Sequence, residues 1–264
     1  MQYTIIDCHT HVYPDKIALR AVESIGQFYD IPMCLDGTVD TLLRISAESG
    51  VEKCLVCSAA VDGLHVRHIN DFLIRTVHEH PYHFLGFGTL HPDMQDAEGE
   101  LQRILDAGLL GVKLHPDMQH FSLGDEKVKK LYAACEGKCP MLLHTGDKRY
   151  HYSNPTLIPP ILRQFPKLKL ICAHLGGYSE WEDAAKCLAD EENVYVDCSS
   201  SFFGMTRESA KELIDLYGED RVLFGSDYPM WHVGKEKEIL LSLGLSDRAL
   251  KKIFSENLLK LLGL

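Results

Sequence analysis

Positive charge is scarce in this chain of 264 residues: 27 lysines and arginines stand against 38 aspartates and glutamates, a formal net charge of -11. Such an acidic surface repels phosphate backbones at long range, which argues against nucleic acid as a partner. Long apolar runs are absent as well. None approaches the roughly 18 residues of a membrane-spanning helix, and no basic segment leads into an apolar stretch at the N-terminus, so we expect a cytoplasmic protein with no membrane partner. Linker-like tracts of Pro, Gly and Ser are missing, and so are low-complexity segments. Residues 1–264 are therefore expected to form a single domain. The cysteines number nine, an odd count. Cys54 and Cys57 make a C-x-x-C, but in a strand a separation of three puts them on opposite faces, and no second pair follows at zinc-knuckle spacing. They read as small core residues in a reducing compartment.

What is present is a globular composition, 45% apolar and 25% charged, arranged as short apolar runs that alternate with amphipathic stretches. The candidate strands are "TIIDCH", "KCLVCSA", "HFLGFGTL", "GVKLH", "MLLHTG", "LKLICAHLG", "VYVDCSS" and "RVLFGSD". Between them lie helical patterns with stop signals: "TVDTLLRISAESG" closes on Gly50, "DAEGELQRILDAG" on Gly108 and "TRESAKELIDLYG" on Gly218. "SDRALKKIFSENLLKLL" starts on a Ser cap and closes the chain, and Pro159 and Pro160 sit where a fifth helix begins. Repeated strand and helix units over about 250 residues predict an α/β fold, a (β/α)8 TIM barrel, with a doubly wound open sheet as the alternative. The stretch from Tyr13 to Gly37 is longer than an ordinary connection; it either covers the barrel mouth as a lid or packs outside as a helix and loop.

In parallel barrels the reacting groups come from the C-terminal ends of the strands. Here those ends carry ionisable side chains repeatedly. His9 and His11 end the first strand, Lys113 and His115 the fourth, His144 the fifth, His174 the sixth and Asp227 the eighth. Alternation along a strand would point Asp7, His9 and His11 the same way, and likewise Lys113 and His115. Any one of these residues taken alone is as well explained by a helix cap or a backbone hydrogen bond. Their joint placement is not. Three imidazoles and a carboxylate make a donor set for zinc, with manganese or iron less favoured, that leaves a position for water. The cation makes hydroxide available near neutral pH, and His174, one strand over, is placed to steer that water or move its proton.

The motifs "DCHTH", "GVKLHP", "LLHTG", "AHLGG" and "LFGSDYP", in that order over nearly the whole chain, resemble the amidohydrolase superfamily. Within it they resemble the branch of metal-dependent hydrolases that includes aminocarboxymuconate-semialdehyde decarboxylase, with related lactonases and hydratases. The resemblance implies a distorted barrel with one divalent metal held by His9, His11, His144 and Asp227, and a catalytic histidine at His174. On the fourth strand it implies substrate contacts for Lys113 and His115. A second metal enters only if Lys113 is carboxylated, as in binuclear members. The deoxyribonuclease branch usually carries a glutamate there, and this chain has none at that position.

The loop "TGDKRYHYSNP" places Lys148, Arg149 and Tyr152 near the expected metal, where two adjacent cations suit a carboxylate or phosphate, unless the loop is simply solvated. Trp231 is expected to wall the pocket. Hydrolysis of a C–N or C–O bond in a small anionic substrate is then the first expectation: activated water attacks a carbonyl, and Asp227 passes a proton to the leaving group. The alternative is nonoxidative decarboxylation by a C–C lyase. A barrel that binds a metal or metabolite without turnover would be expected to lack a ligand or the base, and none is lacking. A homodimer is compatible with the resemblance, but no interface can be read from the chain.

Overall fold

The computed structural model describes residues 3–264. Eight parallel strands follow one another in chain order: β1 (Ile6–His11), β2 (Lys53–Cys57), β3 (Phe84–Thr89), β4 (Gly111–Leu114), β5 (Met141–Leu143), β6 (Leu170–Cys172), β7 (Val194–Asp197) and β8 (Val222–Leu223). The ring closes between β8 and β1 through Cys8 N to Phe224 O (2.8 Å), Asp227 N to His9 O (2.9 Å) and His11 N to Tyr228 O (2.7 Å). Seven of the eight predicted runs contain one strand each and the first overlaps β1, which continues to His11, and the open-sheet alternative is set aside. No helix of the described residues is long and apolar enough to cross a membrane.

Around the ring run α1 (Asp15–Tyr29), α2 (Val39–Ser49), α3 (Val66–Glu79), α4 (Ala97–Asp106), α5 (Pro116–Gln119), α6 (Lys129–Cys135), α7 (Ile158–Gln164), α8 (Trp181–Leu188), α9 (Arg207–Tyr217), α10 (Val233–Leu241), α11 (Asp247–Lys251) and α12 (Asn257–Leu262). Their boundaries follow from local chemistry. Thr38, Asp96, Thr206 and Ser246 each accept a hydrogen bond from a first-turn N–H of α2, α4, α9 and α11, satisfying a donor the helix leaves open. Pro159 and Pro160 sit in the first turn of α7, where the missing N–H costs nothing.

The apolar side chains divide into two layers. Leu55, Cys57, Phe87, Leu142, Ile171 and Leu223 fill the barrel interior and pack with Leu258 and Leu261 of α12. Cys54, Val56, Val112, Leu114, Leu143 and Val196 face the helices instead. Cys54 and Cys57 thus lie on opposite faces, and all nine cysteines are free thiols. Where the inward positions reach the C-terminal strand ends, apolar residues give way to imidazoles and carboxylates. β1 departs from regular alternation there, because its register against β2 shifts between Asp7 and Thr10.

Candidate active site

His9 and His11 enter the barrel mouth together, but Asp7 does not join them as strict alternation predicts. The irregularity in β1 turns Asp7 toward the end of β8, where its carboxylate accepts Ser226 N (2.9 Å) and His9 N (3.2 Å). His9 is fully buried, and its Nδ1 faces Asp197 Oδ2 at 3.0 Å. A carboxylate at Nδ1 holds the proton there and leaves the Nε2 lone pair aimed inward. That Nε2 lies 3.1 Å from His11 Nε2 and 3.6 Å from Asp227 Oδ1, and His11 Nε2 lies 3.5 Å from the same oxygen. Three donor atoms, two from the end of β1 and one from the loop after β8, therefore meet at one point.

Asp227 is held for this role by its surroundings. Its backbone is in the left-handed region (φ 59°), fastened by the bond from Asp227 N to His9 O, while Ser200 Oγ donates to its second oxygen and Trp231 Nε1 donates to Ser200 Oγ (2.8 Å). A non-glycine residue at positive φ costs energy and persists only where neighbouring contacts impose it. Burial raises the Asp227 carboxyl, but the charges of His9, His11 and His174 outweigh it and hold the group well below the usual carboxylate range. Burial pulls His11 down, yet the neighbouring Cys57 sulfur and Asp227 carboxylate push it up to about 9. Surroundings that favour a proton on His11 also favour a divalent cation in its place, with release of that proton.

His174, also in the left-handed region (φ 63°), sits next to this point. Asp197 Oδ1 accepts its backbone N–H (3.2 Å), and its Nδ1 faces Ser199 O (3.0 Å). Its Nε2 is 3.0 Å from His144 Nδ1. The opposite nitrogen of His144, Nε2, is buried without a hydrogen-bond partner, and its nearest carboxylate is Asp117 Oδ2 at 3.6 Å. His144 thus belongs to the same group of rings, joined through His174, while its unpartnered Nε2 faces Asp117 and His115. Burial first, and nearby positive groups after it, hold His144 and His115 well below the usual imidazole range, so both are neutral donors. Lys113 is buried with Nζ donating to His9 Nε2 (2.9 Å), and burial lowers its pKa. These residues face a cavity of about 180 Å³. Its outer wall is α1 and the turn after it, through Ala21, Ser24, Ile25, Tyr29 and Met33, so the Tyr13 to Gly37 stretch does cover the mouth.

His9, His11, Lys113, His115, His144, His174 and Asp227 all line this cavity. Four other expected substrate contacts do not. Arg149 is occupied: its guanidinium pairs with Asp147 Oδ2 at 2.6 Å and donates to Phe28 O at 2.6 Å. Lys148 is exposed, with its backbone N–H on Ser179 Oγ (3.0 Å). Tyr152 is part exposed beside His120, and Trp231 acts on Asp227 through Ser200 while its ring stacks on Phe203. These four residues are thus carried away from the cavity by their loops, while Pro229 and Met230 after Asp227 line it. Missed from sequence were Asp197, which orients both His9 and His174, and Tyr29, whose hydroxyl meets His115 Nε2 at 2.6 Å. Asp197 carried a signal, a carboxylate inside the seventh predicted run, where it proves to end β7; Tyr29 carried none.

Convergent imidazole and carboxylate donors at the mouth of a (β/α)8 barrel make a candidate site for a divalent metal. Residues 6–264 match the model of the family described as Amidohydrolase, and the chain belongs to that family. Among curated relatives, it is 25% identical over 295 residues to gamma-resorcylate decarboxylase of Polaromonas sp., covering 84% of this chain and 87% of that protein. It is 24% identical over 202 residues to 2-amino-3-carboxymuconate-6-semialdehyde decarboxylase of Dictyostelium discoideum, covering 62% of this chain and 56% of the relative. The fold is shared with a dihydroxybenzoic acid decarboxylase from Polaromonas sp. JS666, crystallised with manganese and the inhibitor 2-nitroresorcinol. That match has a TM-score of 0.77 at 18% identity over 99% of this chain and 97% of the other.

Proposed function

We propose that this protein is a metal-dependent nonoxidative decarboxylase acting on a small carboxylate about the size of a single ring. The observation that carries the proposal is the meeting of His9 Nε2, His11 Nε2 and Asp227 Oδ1 within 3.6 Å beneath a cavity of about 180 Å³. A cavity of roughly 150 Å³ is enough to take up benzene, so this one suits one substituted ring. Decarboxylation ranks above the hydrolysis expected from sequence because both curated relatives are decarboxylases. Hydrolysis of a C–N or C–O bond is the second reading, favoured by the family's own description.

His9, His11 and Asp227, with His144 as the fourth donor, would hold one divalent ion; nitrogen and carboxylate donors accept manganese or iron as well as zinc. When bound, the ion supplies positive charge that binds and polarises substrate oxygens. Lys113 adds a second cation inside the cavity, where a carboxylate has little water to compete for it. Decarboxylation breaks the bond between the carboxyl carbon and its neighbour, leaves the electron pair on that neighbour and requires a proton there. His174 lines the cavity with its Nε2 3.0 Å from His144 Nδ1, and we assign to His174, protonated from solvent before each turnover, the delivery of that proton to carbon, which returns the ring to its neutral form. The apolar wall of α1 excludes water meanwhile.

Protein loaded separately with manganese and zinc would be offered 2,6-dihydroxybenzoate and related carboxylates, alongside a panel of lactones and amides. Released carbon dioxide, lost in His174→Ala with the fold and metal retained, is the expected result. Cleavage of a lactone or amide with no carbon dioxide from any carboxylate would replace this proposal by the hydrolase reading.

A further inference from the structure

α1 forms a wall of the cavity. Its last turn contains no basic residue to offset the carbonyl groups that every helix leaves open at its C-terminus. The missing cation comes from elsewhere in the chain. Arg149, in the loop after β5, donates from Nη1 to Phe28 O at 2.6 Å, and its Nε and Nη2 grip Asp147 at 3.0, 3.2 and 2.6 Å. The guanidinium carbon also lies 5.0, 5.2 and 5.4 Å from the ring centres of Phe28, Tyr29 and Tyr150, within cation–π range, and Phe28 stacks on Tyr150. The following residue of α1 is Tyr29, whose hydroxyl reaches His115 inside the cavity.

We infer that Arg149 is a positioning residue: it latches the end of α1 to the barrel and so sets Tyr29, and with it the cavity wall, over the reacting groups. The chemistry suits arginine and no other residue. Only a planar fork can hold a carboxylate with one edge, a carbonyl with another, and aromatic rings against its faces. Because Asp147 already neutralises it, the guanidinium is not the anchor for a substrate anion. The polar groups of the cavity do that instead.

The kinetic arm of the test rests on the decarboxylase proposal, whereas the exchange arm uses unliganded protein and stands without it. Hydrogen–deuterium exchange is compared in wild type, Arg149→Ala and Arg149→Lys. We expect peptides spanning Ile25 to Asp30 to exchange on the order of tenfold faster in both variants, with strand peptides unchanged. Lysine fails to rescue because a point charge cannot hold three partners. Unchanged exchange in α1, or an equal rise throughout the strands, would overturn the inference. Should Arg149→Ala not fold, Tyr150→Ala, which removes one stacked ring, is expected to loosen the same peptides less. With a substrate in hand, Arg149→Ala and Tyr29→Phe should raise KM alike and the double variant no further than either; additive effects would mean that the two residues act separately.

Discussion

Asp197 contacts no part of the cavity, yet two of its neighbours do. Burial by itself raises its carboxyl, but the adjacent His9, the bond to it and the charge of His174 hold the group down at about 2. It therefore stays ionised and fixes both rings. Removing the charge while keeping the shape, as in Asp197→Asn, should weaken divalent-metal affinity by roughly 10- to 100-fold, the usual effect of losing a ligand's orienting partner. Competition against a chelator measures this without reference to turnover, and unaltered affinity would show that His9 needs no carboxylate behind it. Glu236 presents the opposite case. Burial, helped by the charges of Asp7 and Asp227, raises it from 4.5 to about 8. The folded chain therefore binds more protons than the unfolded one between those values, and stability falls as pH rises through that window. Glu236→Gln should remove this share of the loss, amounting to a few kcal/mol at pH 9 and nothing at pH 4. Denaturant unfolding at both pH values checks the sign, since a variant equally affected at both would contradict it.

At the level of elements, the strands were legible because each couples an apolar run to a polar end, and the helices because their caps and stop glycines are local features. Two places were not. Alternation predicted that Asp7 would share the mouth with His9, but the register shift in β1 breaks the parity that such patterns rely on. The loop after β5 looked like an anion site from its two cations, but the partners that occupy Arg149 include Phe28 O, 121 residues away in the chain. No local pattern encodes such a contact. That loop is entered through Gly146, whose φ is +79° and where an added Cβ would lie 2.3 Å from Gly177 Cα. Backbone cannot yield as a side chain does. Gly146→Ala should cost about 3 kcal/mol, combining a left-handed conformation with a clash. Gly50 caps α2 at φ +68° with nothing within 4 Å of an added Cβ, so Gly50→Ala should cost about 1 kcal/mol. Equal losses in the two variants would refute the packing argument.

Across the whole molecule, the ring of strands brings residues from the first, fourth, fifth, sixth and eighth strands to one mouth, and this much followed from sequence. The layer behind them was less legible, because Asp197, Ser199 and Ser200 act through neighbours, and of these only Asp197 carried a signal, its place in the seventh predicted run. The cap was legible only as one of two alternatives, because its function depends on where α1 lands rather than on what it contains. A net charge of -11 spread over the chain leaves the cavity as a local exception, holding Lys113 and a group of histidines. The most direct test is the metal content of the protein purified without added metal, by elemental mass spectrometry, beside His9→Ala. One divalent ion per chain, lost in the variant, is the result predicted. No ion in either protein, even after manganese or zinc is offered, would contradict a metal centre built on His9, His11 and Asp227.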